Sequence, residues 1–194
     1  MKRPFSKILV TDPGGTPRAW ISYRDAILYA ATDSISWVPP GVTTHTAFGG
    51  TNRDGNVSKV DVAAIMAVKG PAAAKFAAYS KMPRVTRKVL FARDCHRCAY
   101  CGDVFQEAIL TRDHIIPRRT GGKNTWTNLI TACKPCNGHK ADRTPEKAGM
   151  KLKFQPYVPS KLEILYLSHP SMEDEQREYV ENFIKMKNRQ LVTK

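Results

Sequence analysis

The sequence contains no long apolar run, and this absence sets the first limit on its class. A transmembrane helix needs about 20 consecutive apolar residues, and no segment of the 194 residues approaches that length. The N-terminus is basic, but the apolar run that follows it extends only from Ile8 to Val10, which is shorter than a secretory signal requires. These absences predict a cytoplasmic protein without a membrane partner, in a compartment that keeps thiols reduced.

Acidic residues are also scarce. Seventeen Asp and Glu stand against 31 Lys and Arg, so the formal net charge is +14. The excess is concentrated between residues 81 and 153, where sixteen basic side chains accompany six acidic ones. A basic segment between milder ends is typical of proteins that bind polyanions such as nucleic acids. The alternative is a soluble domain with a high isoelectric point and no such partner.

Cysteine is rare, but four of the five cysteines fall into two Cys-x-x-Cys pairs. In a reducing compartment such pairs favour metal binding over disulfides. Two pairs complete a tetrahedral Zn²⁺ site that has no open position, so the predicted zinc is structural, with Cys98, Cys101, Cys133 and Cys136 as its ligands. The alternative is four buried free thiols. Cys95 lies outside the pairs and is predicted to be a small buried side chain.

The N-terminal part is predicted to contain strands and a helix. Two short apolar runs, 8–10 and 19–21, are separated by an Asp-Pro-Gly-Gly turn signal. Ser22 and Asp25 are spaced as in a capping box, which predicts a helix that ends near residue 31. The glycine- and proline-rich stretch that follows, 39–57, predicts a loop.

The remaining segments have simpler patterns. Residues 60–79 are rich in alanine and predict one or two helices broken at Gly70-Pro71. Residues 81–97 mix basic and apolar side chains and predict a basic arm, or alternatively a solvated strand edge. Near the C-terminus, Ser171 is the predicted N-cap of an amphipathic helix. Basic residues in the last turns of this helix suit its dipole: Lys185, Lys187 and Arg189.

Polar residues with complementary chemistry lie between the cysteine pairs and directly after them. The carboxylate of Asp113 suits a hard cation such as Mg²⁺, and the imidazole of His114 is the natural base near neutral pH. Adjacent strand residues point to opposite sides, so these two share a site only where the strand twists or turns. Asn137 follows the last cysteine and offers a carbonyl oxygen to the same cation, and Lys140 is placed to meet a phosphate. This set is typical of phosphodiester hydrolysis.

The segment from Val89 to Met150 resembles the HNH endonucleases, the ββα-metal or His-Me finger group of phages and bacteria. The motifs that carry the resemblance are Asp-His-Ile-Ile-Pro-Arg, Gly-Gly, Asn-Thr-Trp-Thr-Asn-Leu, Cys-x-x-Cys-Asn-x-x-Lys and Arg-Thr-Pro-Glu-x-Ala-Gly-Met. They cover about a third of the chain. The N-terminal strand–helix unit also resembles the leader of small free-standing members.

The resemblance implies a role for each matching position. His114 would be the general base that activates water, and Asp113 and Asn137 would hold a catalytic Mg²⁺ or Mn²⁺. Asn128 would brace the His114 loop through its backbone, and His139 is a second, less favoured ligand of the ion. The predicted contacts to DNA are the cations Arg118, Arg119, Lys140 and Arg143.

The sequence as a whole predicts an α+β fold with three parts. These are an N-terminal strand–helix unit (1–80), a basic arm with a zinc-bound ββα finger (81–153), and a C-terminal extension with an amphipathic helix (154–194). The predicted activity is hydrolysis of DNA in a bacterial cell or phage-infected host. Two alternatives stay open, a zinc-ribbon protein that binds DNA without cutting it and a nuclease that cleaves RNA. A double-strand break would need a homodimer or two encounters.

Overall fold

The computed structural model describes residues 5–77 and 82–184. The described residues form two compact units, the first made of 5–77 with 169–184 and the second of 82–168. Each unit has buried apolar clusters of its own. The predicted α+β class is confirmed, since helices and strands both contribute to the fold. No helix in the described part of the chain has the length and apolar character that a bilayer span requires.

The elements of the two units follow one another along the chain. In chain order they are β1 (Ile8–Thr11), β2 (Pro17–Ile21), α1 (Tyr23–Ala31), β3 (Ile35–Trp37), β4 (Thr44–Thr51), β5 (Val57–Ala63), β6 (Ile65–Val68), α2 (Gly70–Ala77), α3 (Arg87–Arg93), β7 (Leu110–His114), β8 (Leu129–Cys133), α4 (Lys134–Lys140), α5 (Lys161–Ser168) and α6 (Asp174–Glu181).

The first unit is built on a four-stranded sheet with the strand order β2-β1-β6-β3. β1 runs antiparallel to β2 and parallel to β6, and β3 pairs antiparallel with β6. Every residue of the two central strands is buried. Alternate residues of these strands, such as Ile8 and Val10 of β1 and Met66 and Val68 of β6, supply the core. The capping prediction is confirmed, since the Ser22 side chain accepts the Asp25 N–H at the start of α1.

The stretch from residue 39 to residue 68 differs from the prediction. Residues 44–63 form the antiparallel hairpin β4–β5 instead of a loop, and Asn52 closes its turn by accepting the backbone N–H groups of Asp54 and Asn56. The apolar run that follows is the buried strand β6 rather than a helix. Strands buried on both faces have continuous apolar sequences, which periodicity alone does not distinguish from a buried helix. Gly70-Pro71 begins α2 instead of breaking it, because proline is tolerated in a first turn.

The C-terminal helix of the first unit starts later than predicted. Its N-cap is Glu173 rather than Ser171, and the Gln176 side chain completes a capping box. Gln176 is fully buried and donates to the carbonyls of Lys7 and Ala64, which fixes α6 to the β-sheet unit. The predicted basic last turns of this helix, Lys185, Lys187 and Arg189, lie outside the described residues.

The second unit contains a ββα arrangement, the hairpin β7–β8 followed by α4. Before it, the predicted basic arm contains the helix α3, whose N-cap Thr86 accepts the Val89 N–H. Arg93 at the end of α3 is 3% exposed and donates to the Asp94 carboxylate and to the carbonyls of Trp126, Leu129 and Tyr157. One of the basic residues of this segment therefore stabilises the core of the unit and does not contribute to a polyanion-binding surface.

Candidate active site and metal centre

Four cysteines from two separate segments converge in the second unit. The first pair, Cys98 and Cys101, lies in the turns that follow α3, and the second pair, Cys133 and Cys136, spans the junction of β8 and α4. Their Sγ atoms all lie within 4.8 Å of one another. The prediction that these four residues are positioned to bind one metal ion is confirmed. Cys95 is exposed instead of buried, so that part of the prediction is wrong.

The protonation of the cluster depends on its backbone. Burial opposes ionisation of Cys98, but hydrogen bonds from the backbone N–H groups of Cys133, Cys101 and Tyr100 outweigh it and lower the pKa of this thiol. One of these bonds, from Tyr100 N to Cys98 Sγ, is 3.4 Å long. Burial and the neighbouring Cys98 raise the pKa of Cys101 to about 11. The backbone therefore favours the thiolate form of Cys98, whereas an ion that binds must displace the proton of Cys101.

The hairpin β7–β8 connects this cluster to the predicted catalytic residues. Its register pairs Leu110 with Cys133 at one end and His114 with Leu129 at the other. Asp113 and His114 are thus the last two residues of β7, at the opposite end of the hairpin from Cys133. α4 starts directly after β8 and brings Asn137 back alongside β7, where its Nδ2 donates to Thr111 Oγ1 at 3.0 Å.

An open pocket of about 510 Å³ lies between the end of β7 and α4. The structure brings the predicted base and both predicted ion ligands to it, because His114, Asp113 and Asn137 are all among its lining residues. Its cationic lining residues are Arg112, Arg118, Lys134 and Lys140. His139, the less favoured ligand candidate, is exposed and does not line this pocket.

Asp113 lies at the buried side of this pocket and is 6% exposed. Its Oδ1 accepts Lys140 Nζ at 3.0 Å, and its Oδ2 accepts the Tyr100 hydroxyl at 2.5 Å. Burial, together with the adjacent Asp113 carboxylate, raises the pKa of Tyr100 far above its ordinary value, so the phenol stays a donor. An ionised carboxylate has about four lone-pair sites, and these two donors leave both oxygens able to accept further partners.

Lys140 lines the pocket but is engaged within the protein. Its side chain is 1% exposed, and its ammonium donates to Asp113 Oδ1 and to the backbone carbonyl of His114 at 2.8 Å. The phosphate contact expected of Lys140 stays a prediction, because the residue lines the pocket although its ammonium is engaged within the protein. A buried lysine is stable when its charge is paired and its donors are satisfied, and here it neutralises the carboxylate and fixes the strand end.

His114 is half-buried and oriented by an amide that the sequence reasoning did not single out. Its Nε2 lies 2.7 Å from Asn124 Oδ1. An amide oxygen only accepts, so the ring donates from Nε2 in this contact, and Nδ1 is the nitrogen that can accept a proton when the ring is neutral. The motif around Asn124 was part of the resemblance, but no chemical feature of an asparagine ten residues away indicates that it meets the base.

Asn128 holds the loop between His114 and β8 together. Its amide accepts the backbone N–H of Ile116 at 2.8 Å and donates to the carbonyls of Ile116 and Lys123 at 3.1 and 3.0 Å. Gly122 passes so close that an added Cβ would lie 1.7 Å from Ile116 O. The loop that presents the imidazole is thus closed by one buried amide and one glycine.

The other three predicted DNA contacts differ in what their side chains contact. Arg118 is exposed and lines the pocket. Arg119 forms an exposed ion pair with Asp142 at 3.6 Å. The guanidinium of Arg143 donates to the carbonyls of His139 and Lys140 at the end of α4. Arg112 and Lys134 were not predicted as contacts. Their place beside the pocket follows from the hairpin and the start of α4, and the basic composition alone did not indicate it.

Comparison with known proteins finds a family model that matches part of this unit. Residues 98–153 match the model of the HNH endonuclease family, so the predicted resemblance is confirmed for the segment that holds both the cysteine cluster and the pocket. No curated protein matches the chain. A solved structure similar to it is the crystal structure of the Type II-C Cas9 enzyme from Actinomyces naeslundii, at 19% identity and a TM-score of 0.26. The match covers 57% of this chain and spans 14% of that one.

Proposed function

We propose that this chain is a metal-dependent HNH endonuclease that hydrolyses DNA phosphodiester bonds, with His114 as its general base. The observation that carries the proposal is one pocket, within the segment that matches the family, where an imidazole, a carboxylate and an amide meet among cations. These are the groups that a hydrolase acting on a phosphodiester needs: a base, oxygen ligands for a divalent ion, and positive charge for the phosphates.

The cysteine cluster is proposed to hold a structural Zn²⁺. Four sulfur ligands at about 2.3 Å from a tetrahedral ion lie roughly 3.8 Å from one another, and the observed sulfurs, within 4.8 Å, need only a small contraction. A site closed by four thiolates leaves no position for substrate. The reduced cytoplasm of a bacterial cell or phage-infected host is the compartment that suits such thiolates.

Asp113 and Asn137 are the residues that would hold a catalytic Mg²⁺ or Mn²⁺. The donor set fits such an ion, because Asp113 keeps lone pairs on both oxygens and no described residue donates a hydrogen bond to Asn137 Oδ1. Carboxylate and amide oxygens are ligands that these cations prefer. The chemistry of the ion, when it is bound, is to stabilise negative charge that develops on the phosphate and the leaving oxygen.

His114 performs the proton transfer in this proposal. Its Nε2–H donates to Asn124 Oδ1, so Nδ1 takes the proton from a water molecule while the water oxygen attacks the phosphorus in line. The bond from phosphorus to the leaving oxygen on the opposite side breaks, and that oxygen takes up a proton from solvent. Asn128 holds the loop that carries the imidazole, and Lys140 donates to the Asp113 carboxylate beside it. One such pocket cuts one strand, so a double-strand break requires a homodimer or two encounters.

The decisive experiment compares variants on supercoiled plasmid with Mg²⁺ or Mn²⁺. His114→Ala should slow cutting by about 10²-fold or more, the usual contribution of a general base, with DNA binding and zinc content unchanged. Asp113→Ala and Asn137→Ala should lose activity that excess ion partly restores. His139→Ala is the matched control, since it removes an imidazole that lies outside the pocket, and it should cut at nearly the parent rate.

The other outcomes each favour a different function. Cutting by His114→Ala at the parent rate would exclude the proposed mechanism. Binding without any cutting would identify a zinc-ribbon DNA-binding protein. Cleavage of a matched RNA but not of the DNA would identify a ribonuclease. Nicked plasmid as the first product would indicate that one active site cuts at a time. Linear plasmid as the first product would indicate that two active sites act together.

A further inference from the structure

Tyr100 lies between the two ligands of the first cysteine pair and contacts both functional parts of the finger. Its backbone N–H donates to Cys98 Sγ at 3.4 Å, and its hydroxyl donates to Asp113 Oδ2 at 2.5 Å. Both Tyr100 and Asp113 are 6% exposed. A single residue therefore links the cysteine cluster, through its backbone, to the carboxylate that lines the pocket, through its hydroxyl.

The hydroxyl is not needed to neutralise Asp113, because the buried ammonium of Lys140 already does so. What Tyr100 adds is a second anchor on the opposite oxygen. A carboxylate held through Oδ1 alone can rotate about its Cβ–Cγ bond, whereas one held through both oxygens has a fixed plane. Fixing that plane determines which of the remaining lone pairs point into the pocket.

We propose that Tyr100 is a positioning residue that orients Asp113 for the catalytic cation and couples this orientation to the cysteine cluster. The inference rests on the proposed function of Asp113 as an ion ligand. Groups that hydrogen-bond a metal ligand typically change the affinity for the ion by about 10- to 100-fold when they are removed. Tyr100 is thus expected to affect the binding of the cation and, through it, the rate of cutting.

The test measures Mn²⁺ binding to the full chain, free of DNA, by electron paramagnetic resonance after the cysteine cluster is saturated with zinc. Tyr100→Phe removes only the hydroxyl and keeps the ring. We expect an affinity for Mn²⁺ about 10-fold lower, zinc content equal to the parent, and plasmid cutting that recovers when Mn²⁺ is raised. Tyr157→Phe is the matched control, since its hydroxyl also donates to a carboxylate, that of Glu163, in the same unit. It should leave Mn²⁺ affinity unchanged.

Asp113→Asn separates the two proposals. If Asp113→Asn abolishes Mn²⁺ binding and Tyr100→Phe leaves it at the parent value, the positioning role is overturned while the proposed ion site stands. If Asp113→Asn binds Mn²⁺ normally, the ion site itself is misplaced. Loss of zinc or unfolding of Tyr100→Phe would show that the hydroxyl maintains the fold, and a Mn²⁺ defect equal in Tyr157→Phe would show a general stability effect. Either result also overturns the positioning role.

Discussion

Two asparagine side chains near His114 have different partners: Asn128 hydrogen-bonds backbone groups, and Asn124 hydrogen-bonds the imidazole. Asn128 is 8% exposed and binds backbone groups only, so it determines the path of a loop. Asn124 is exposed and contacts the imidazole itself, so it determines which ring nitrogen carries the proton. A base with a fixed tautomer needs no reorganisation before it accepts a proton, and the contribution of Asn124 is therefore expected in the chemical step.

Replacing Asn124 should consequently lower kcat and leave DNA affinity unchanged. Losing one hydrogen bond of about 1.4 kcal/mol corresponds to roughly a tenfold slower step, so Asn124→Ala should cut about tenfold more slowly with an unchanged KM. Single-turnover cleavage at saturating ion would measure this. Asn124→Asp, which keeps an acceptor oxygen, should retain more activity than Asn124→Ala. An Asn124→Ala variant with parent kcat would show that the ring is held by other contacts.

At the scale of elements, the sequence predicted those features that depend on residues close together in the chain. Helix α1 was predicted because Ser22 caps it through its own side chain, and the cysteine pairs were predicted because each is a local turn. The hairpin β4–β5 was missed because Gly49-Gly50 and Asp54-Gly55, which lie within and between its strands, are typical loop signals. The partners of Asp113 were not predictable, since Tyr100 and Lys140 reach it from segments 13 and 27 residues away.

The second unit is expected to depend on the proposed zinc ion for its stability. Its β-hairpin has two strands and small apolar clusters, and a two-stranded sheet is marginally stable alone. Cys133→Ser or chelation should therefore unfold β7, β8 and α4, because structural zinc contributes folding free energy directly. Hydrogen exchange read by mass spectrometry should show these peptides losing protection while the buried strands β1 and β6 of the first unit keep theirs.

Cys95→Ser provides the matched control for that experiment. Cys95 is exposed and lies outside the cluster of four thiols, so its replacement should change neither zinc stoichiometry nor exchange. A Cys133→Ser variant that retained one zinc per chain and full protection would show that the cluster does not hold the finger together. A Cys95→Ser variant that lost zinc would assign the ligands differently.

At the scale of the whole molecule, the net charge of +14 is the property most relevant to a nucleic-acid partner. Only part of the charge in residues 81–153 is available to DNA. Arg93 and Lys140 are buried in ion pairs, and Arg119 is paired with Asp142 at the surface. Arg118 remains an exposed cation that lines the pocket. Composition therefore overestimates the number of phosphate contacts, and the salt dependence of binding measures the real number.

Binding of the His114→Ala protein to a duplex, measured without Mg²⁺ at several KCl concentrations, should weaken steeply with salt. Each phosphate that a cation neutralises contributes about −0.9 to the slope of log K against log salt, because it releases condensed counterions. Arg118→Gln should reduce the steepness by about one contact. Arg18→Gln, which removes the same charge from a surface ion pair in the first unit, should leave the slope unchanged. Equal changes of the slope in both variants would mean that DNA affinity depends only on the net charge of the protein. A slope near zero would rule out this pocket as a phosphate-binding surface.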